Sequence, residues 1–586
     1  MKDLLKQLSK ILWLGLLLSV INLSGAIAWD NQQQSNDPST RPETRNVEPV
    51  ADQKPKFFPY DPVWVDRDQI SIPKPKPIEL SKIYDFAENT FSKPGDPTIR
   101  RAQNINTLGE VPDSSWFTNR IGLHPMTLEQ LARGPNRSDG PDMSGPWTII
   151  SAKTQGVTPG FVMKDSRGDT YFIKLDPKKY PQMATSAEVI STKFFYAFGY
   201  NVPENYLAFF RPEQLKIGPE AKVPGRDGKK RPMTKADIDA ILCKVPKRSD
   251  GTIQALASLK LPGEPLGPFK YYGTRSDDPN DIFPHENRRE LRGLQVFFSW
   301  LNDNDSDATN TLDMYVTEAG RSYVKHYLID FGTTLGSAAI APHGPREGNA
   351  YYFEGKPTLK SALTLGLWDP PWRHIQYQEY PEIGRFEASY FRPEHWKPDY
   401  PNPAGIRMQN EDAFWATRTV MRFTDEMVRA IVKTGQISNP EAENFLVKTL
   451  LQRRDKILHY YLNQINPLDD FRLVIPETTP QTTPEQPEEA TPFLNFKNLG
   501  VEARISTANS YEYQWFRFNN QDGSTEPLTE IQSSASPSIP VPQDASPYLM
   551  VRIRTLSPNQ ENWKKKVEVF IRNIPEKSVV GIEREN

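Results

Sequence analysis

Apolar residues along this 586-residue chain follow three successive patterns. The first is strand-like. "GPWTIISAKTQGVTPGFVMKDSRGDTYFIKLDP" alternates apolar and polar positions in short runs split by Gly and Pro, with Ser166-Arg167-Gly168-Asp169 as a hairpin turn. A helix follows in "ATSAEVISTKFFYAFGYNVP", where Ile190, Phe194, Phe195 and Phe198 share one face and Gly199 marks the stop. "ENYLAFF" and "IQALASLKL" return to strand character. The second pattern is helical. "ENRRELRGLQVFFSWLND" aligns Leu291, Leu294, Phe298 and Leu301, and two more amphipathic stretches follow, the last opening on Asn439 as cap and Pro440 at the first helical position. The third pattern has period two: "YEYQWFRFNNQDG", "YLMVRIRTL" and "KKVEVFIRNI" around an Asp522-Gly523 turn predict a small all-β sandwich. Tyr511, Tyr513 and Trp515 share a strand face there, which reads as sandwich core before it reads as a sugar-stacking platform.

The polar breaks set the domain boundaries. Residues 1–28 read as a signal peptide: Lys2, Lys6 and Lys10 precede an apolar run, and Ala26-Ile27-Ala28 fits a cleavage site. An export signal places the mature chain in the periplasm or outside the cell; an uncleaved N-terminal membrane anchor is the alternative. Residues 29–77 are rich in Gln, Asn, Pro and charge and predict a disordered tether. Residues 78–140 predict an irregular extension. The main body spans 141–472, strand-rich over about 141–270 and helical over about 271–472. "PETTPQTTPEQPEEATP" makes 473–492 a Pro/Thr-rich linker, and 493–580 hold the sandwich. The one cysteine, Cys243, excludes an intrachain disulfide and reads as a small buried residue. With 71 basic and 73 acidic residues the chain carries no nucleic-acid footprint.

Candidate chemistry concentrates in "SWLNDNDSDATNTLDM". Asp303, Asp305 and Asp307 match the first acidic positions of an EF-hand loop, but Ala308 stands where that loop needs glycine and Met314 where it needs glutamate. A solvated turn explains the polarity but not the nearby "HYLIDFG". Phosphoryl transfer explains both. It needs a carboxylate to orient an acceptor hydroxyl, and an amide oxygen with a second carboxylate to hold a metal against a triphosphate. Asp305, Asn310 five positions on, and Asp330-Phe331-Gly332 supply those groups. Lys174 near a strand end can reach phosphate oxygens, and Glu188 on the next helix can pair with it. His285 and His326 read as structural, and H-E-x-x-H, zinc and G-x-S-x-G patterns are missing from the sequence.

The ordered set Lys174, Glu188, Asp305, Asn310, Asp330 resembles the protein-kinase-like superfamily, in particular its atypical bacterial HipA-type and CotH-type branches, over about 140–470. "KTQGVTPGF", "YFIKLDP", "AEVISTKFFYAFGYNVPENY" and "YLIDFGTTLGS" also carry the resemblance. It implies an α+β, bilobal kinase-like fold, a strand-rich N-lobe and helical C-lobe, followed by the sandwich. It also implies ATP with magnesium (or manganese) as cofactors. Asp305 would be the catalytic acid-base residue, Lys174 and Glu188 would bind the nucleotide, and Asn310 and Asp330 would bind the metal. Gln155, Gly156 and Gly160 would cover the phosphates. The chain departs from the family in three places: no G-x-G-x-x-G, Asp303-Asn304 for the usual His-Arg, and Asp307 where kinases carry lysine or histidine. The expected function is an exported atypical kinase with a nucleotide donor and a protein or envelope acceptor. A catalytically dead pseudokinase scaffold, docked to a wall or partner by its C-terminal domain, is the alternative; a kinase-fold nucleotidyltransferase is a third.

Overall fold

A computed structural model of the chain describes residues 54–66, 68, 70–153, 158–225, 229–475 and 491–586. The expected signal peptide, the first part of the expected tether and most of the expected linker lie outside them. The described residues between 54 and 77 are packed rather than tethered. Phe57 is 3% exposed and sits among Phe516, Phe518, Met550 and Phe570. Farther on, the Ile72 N–H donates to the Ser322 carbonyl at 2.9 Å and the Ile78 N–H to Leu266 at 2.6 Å. Isolated apolar residues between prolines suffice to pin an extended strand, which composition alone does not register. Truncating Phe57 to alanine should cost about 3–5 kcal/mol of local stability and expose 54–77 to protease. Cleavage at the wild-type rate would show that this ring does not hold the segment.

Two short helices follow, α1 (Lys82–Ala87) and α2 (Leu128–Arg133). The first large sheet contains β1 (Trp147–Ala152), β2 (Gly160–Lys164) and β3 (Thr170–Leu175). Alternation in "TYFIKL" buries Tyr171, Ile173 and Leu175 on one face and turns Phe172 and Lys174 to the other. Next comes α3 (Met183–Phe198), almost wholly buried, which ends at Gly199 with φ +127°. A side chain at Gly199 would meet the Phe117 ring at 2.3 Å, so glycine both terminates the helix and admits that ring. The sheet is completed by β4 (Asn205–Phe210), β5 (Leu215–Pro224), β6 (Lys230–Pro232) and, after α4 (Lys235–Leu242), β7 (Ile253–Leu259). Its strand order is β4-β7-β3-β2-β1-β5-β6, antiparallel except where β1 and β5 run parallel. Cys243, expected to be buried, is exposed just past α4, because that helix turns Ile238 and Leu242 inward instead.

A second sheet, ordered β10-β9-β8, joins β8 (Glu264–Gly267), β9 (Thr311–Glu318) and β10 (Arg321–Leu328). Between β8 and β9 runs α5 (Arg289–Leu301). After α6 (Gly355–Leu363) come α7 (Asn410–Met421), α8 (Asp425–Lys433) and α9 (Pro440–Tyr461). Thr424 caps α8 by accepting from the Met427 N–H, which divides the long amphipathic stretch in two. These helices and α3 share one core around Phe194, Phe198, Trp300 and Phe423, whereas the first sheet keeps its own around Trp147, Phe161 and Ile173. The molecule is thus a mixed α+β protein with separate cores, yet Pro55–Asn586 forms one compact unit.

The C-terminal strands begin earlier than expected. β11 (Leu468–Val474) pairs with β12 (Phe493–Asn498) across the linker sequence. A short helix, α10 (Leu499–Glu502), leads to the central strand β13 (Ser510–Phe518), flanked by the short β14 (Thr525–Pro527) and β15 (Gln532–Ser534). β16 (Ser538–Pro540) pairs with β12, while β17 (Tyr548–Leu556), β18 (Val567–Arg572) and β19 (Ser578–Arg584) extend the β13 sheet. Tyr511, Tyr513 and Trp515 are buried with Leu494, Phe496 and Val551 in a core shared by the two sheets. Their faces are therefore spent on packing. Among the described residues no helix is long and apolar enough to cross a membrane.

Candidate active site

Lys174 is delivered by β3, and Glu188 by the helix that follows. Their relative placement is set by Asp176, just beyond the strand. Its carboxylate accepts from the Ala184 N–H at 2.9 Å, the Thr185 N–H at 3.0 Å and the Thr185 hydroxyl at 2.6 Å. The free donors at the start of α3 are thereby satisfied from the end of β3, which locks the helix against the strand. The Lys174 ammonium then donates to both Glu188 oxygens at 2.8 Å and to Asp330 Oδ1 at 2.8 Å. Residues 14 and 156 positions away meet one cation.

Asp330 holds a left-handed backbone, φ +61°. Such a conformation costs about 1–3 kcal/mol in a non-glycine residue and persists only where neighbours enforce it. Here Phe331 stacks on Phe195 with centroids 4.6 Å apart, and the Thr334 hydroxyl donates to the Phe331 carbonyl at 2.9 Å. The ring anchors the turn in the core and leaves the Asp330 carboxylate half exposed.

The acidic loop is equally constrained. Asn302 ends α5 at φ +54°; its amide donates to His343 at 2.9 Å and accepts from the Trp396 indole at 2.8 Å. Asn304 donates to Asp399 at 3.0 Å. Asp307 caps the turn Ala308–Asn310, accepting from the Thr309 N–H at 2.8 Å. Asn310 donates from Nδ2 to the Asp305 carbonyl at 2.5 Å, and its own carbonyl accepts from the Ile329 N–H at 3.0 Å. That last bond ties the loop to the residue before Asp330. The hairpin of β9 and β10 explains how the chain returns to the same place at Asp330, twenty positions after Asn310.

Charge is crowded here. Burial, then Asp330, pushes the Glu188 carboxyl up to about 7 despite Lys174. Against the cost of burial, Asp330 and Glu188 hold the Lys174 ammonium above its ordinary value, and Lys174 in turn holds Asp330 below the usual carboxylate range. Burial raises Asp303 well above that range, with Asp305 and Asp330 adding to the effect. Asp303, which the sequence compares with an EF-hand position and with the usual His of kinases but not with a site residue, faces the same carboxylates. Lys153, at the end of β1, was likewise passed over as a site residue. Burial and then the neighbouring Lys174 lower its ammonium, which donates to the Thr158 carbonyl at 3.3 Å. Its place in "KTQGVTPGF" was the only signal for it.

Gly160, expected to cover phosphates, lies in β2 opposite Lys174. A Cβ there would stand 2.0 Å from the Ile173 carbonyl oxygen, so the close strand approach demands glycine. Gln155 and Gly156 lie outside the described residues. His285 and His326 are buried against carboxylates, Asp281 at 2.8 Å and Asp313 at 2.7 Å, and Trp116 stacks on His326.

Another unforeseen residue is Lys82, from α1 in the extension. Its ammonium pairs with Asp305 and stands 2.9 Å from Asp307 Oδ2. Nothing in "ELSKIYDF" marks it, because the contact joins positions 223 apart.

No protein-family model matches the sequence, and no curated protein matches it. Among solved structures the chain is similar to CtkA, a proinflammatory kinase of Helicobacter pylori, at 12% identity and a TM-score of 0.29, over 53% of this chain and 93% of that one. It is also similar to a golgi casein kinase at 10% identity and a TM-score of 0.28, over 68% of this chain and 95% of that one. Both neighbours are kinases, but likeness this distant leaves fold and chemistry to be argued from the chain's own residues.

Proposed function

We propose that the chain is a bilobal, kinase-like phosphotransferase that moves a phosphoryl group from ATP to a hydroxyl on a protein or envelope component. The observation that carries this reading is Lys174, held at 2.8 Å from both Glu188 and Asp330. A lysine so placed is fixed in direction, and exchanging its Asp330 contact for a phosphate oxygen would make it a polyphosphate anchor.

The donor set supports a hard cation. Among the described residues no group of three or more His, Cys, Asp or Glu side chains is arranged to hold a metal. Asn310 and Asp330 offer one amide oxygen and one carboxylate, the Asn310 amide nitrogen being turned to the Asp305 carbonyl. Magnesium is commonly held by one or two carboxylates, with phosphates and waters completing its shell, so this set fits. When bound, magnesium would offset charge on the phosphates. The chain's own residues do the rest. Lys174 and Lys153 favour anionic oxygens, Glu188 orients Lys174, and Asp305 takes the acceptor proton. Export rests on residues 1–28.

A non-catalytic binding protein is the second reading, favoured by the ion pair that Lys82 makes with Asp305. One experiment addresses both. Purified chain from residue 55 onward should bind ATP with magnesium and transfer labelled γ-phosphate, with Asp330→Ala losing the metal-dependent binding. Binding without any transfer would favour the second reading, and no binding would end both nucleotide readings. Mass spectrometry of the acceptor should find phosphate; adenylate would mean nucleotidyl transfer.

A further inference from the structure

Asp307 presents a physical problem that Lys82 resolves. The carboxylate at 307 is 4% exposed at the side chain and builds the turn that places Asn310, accepting from the Thr309 N–H at 2.8 Å and the Thr309 hydroxyl at 2.5 Å. An N-capping carboxylate explains why this residue type sits there. It also leaves a second negative charge beside Asp305, where a negatively charged group would be transferred. Two neighbouring carboxylates repel, so an Asp307 without a cation would push the Asp305 side chain out of position.

Lys82 sits between them. Its ammonium lies 2.9 Å from Asp307 Oδ2 and pairs with Asp305 Oδ1, while its side chain stays 46% exposed. The helix that carries it is docked by its own contacts. Asp85, one turn on, accepts from the Tyr400 hydroxyl at 2.7 Å and from Asn89 Nδ2 at 3.0 Å. Its helix also packs against the Ala308–Asn310 turn that Asp307 caps. The extension therefore grips the acidic loop by ion pairing and by packing, and the lysine position is built rather than incidental.

We propose that Lys82 is a positioning residue of the transfer reaction: it neutralises Asp307 and holds the Asp305 carboxylate as the proton acceptor, a task that a cation within the loop would otherwise perform. The inference rests on the phosphotransfer reading above. In that reaction the acceptor oxygen forms a bond to the γ-phosphorus as the bond from phosphorus to the bridging oxygen breaks. The electron pair leaves with the nucleoside diphosphate, and the hydroxyl proton passes to Asp305. Lys82 keeps Asp305 available for that proton without touching the nucleotide.

The test uses the chain from residue 55 with MgATP as donor and water as acceptor, following release of inorganic phosphate together with equilibrium binding of MgATP. Lys82→Met should lower kcat about 100-fold, comparable to losing one preorganised charge-stabilising group, with KM and binding for MgATP within about twofold. Lys82→Arg should retain activity to within about fivefold, since the cation is kept. Asp307→Asn, which preserves the cap, should restore about tenfold in the Lys82→Met background by removing the charge that needs neutralising. A purely structural lysine would give no such rescue. Normal MgATP binding with undiminished turnover in Lys82→Met would overturn the proposal, and increased turnover would identify Lys82 as a plug. If wild-type chain fails to bind MgATP, the phosphotransfer reading falls, and the role of Lys82 with it.

Discussion

Asp305→Asn is expected to cut phosphoryl transfer by about 100- to 10,000-fold, the range that a positioned general base contributes. The substitution is nearly isosteric and keeps the Asp305 carbonyl that accepts from Asn310 at 2.5 Å, so the loop should not move. What it removes is the carboxylate. Burial, and then the adjoining Asp307, raises that group to about 8, opposed by Lys82. At neutral pH most of that carboxyl is protonated, so transfer that uses it as the base should rise with pH and level off above about 8. MgATP binding should survive, because Lys174, Asn310 and Asp330 are untouched. A transfer assay read beside equilibrium binding checks both halves. Transfer within a few fold of wild type would remove Asp305 from the chemistry, even with the fold class intact.

Arg418→Met is expected to cost about 3–5 kcal/mol, the scale seen when one partner of a buried ion pair is removed. Arg418 Nη2 donates to Glu110 at 2.5 Å and Nη1 to Asp469 at 3.2 Å, and all three side chains are buried. One guanidinium thus joins the extension, α7 and β11. Asp469 has a second cation, Arg584, at 3.5 Å, but Glu110 has no other ion-pair partner in the described structure. Methionine fills the stem volume and leaves Glu110 unpaired. Urea denaturation should show an earlier transition, and hydrogen exchange should speed up in both α7 and β11. Arg418→Lys should recover part of the loss. A shift below about 1 kcal/mol would mean that water or relaxation already compensates the two acids.

Much of the site was legible along the chain because it is written in local order. Lys174 lies at the end of an alternating strand, Glu188 inside a helix with a clear apolar face, and Asp305, Asn310 and Asp330 flank a hairpin whose length is visible as "TLDMYVTEAGRSYVKHYLID". Periodicity identifies the strand of Lys174 and the helix of Glu188, whereas the expectation that the five groups meet comes from the kinase-like resemblance. The helical stretches and the period-two strands near the C-terminus were readable for the same reason.

Other features carry no local trace. Residues 54–77 look too polar to order, yet Phe57 and Ile72 find cores contributed by chain far away. Cys243 looks buried by type and is exposed by the direction its helix faces. The boundary at 473 is crossed by β11, since strand pairing depends on a partner beyond the linker and not on the linker's composition.

The sequence by itself determined the strands and helices that carry a clear periodicity, and the order in which five polar groups are presented. Only the tertiary structure decided that Lys82 reaches Asp305 and Asp307, that Lys153 and Asp303 join the same charged cluster, and that the extension is part of the body. The physical reason is range. Backbone periodicity is set by neighbours a few residues apart, whereas burial and ion pairing depend on which distant surfaces meet.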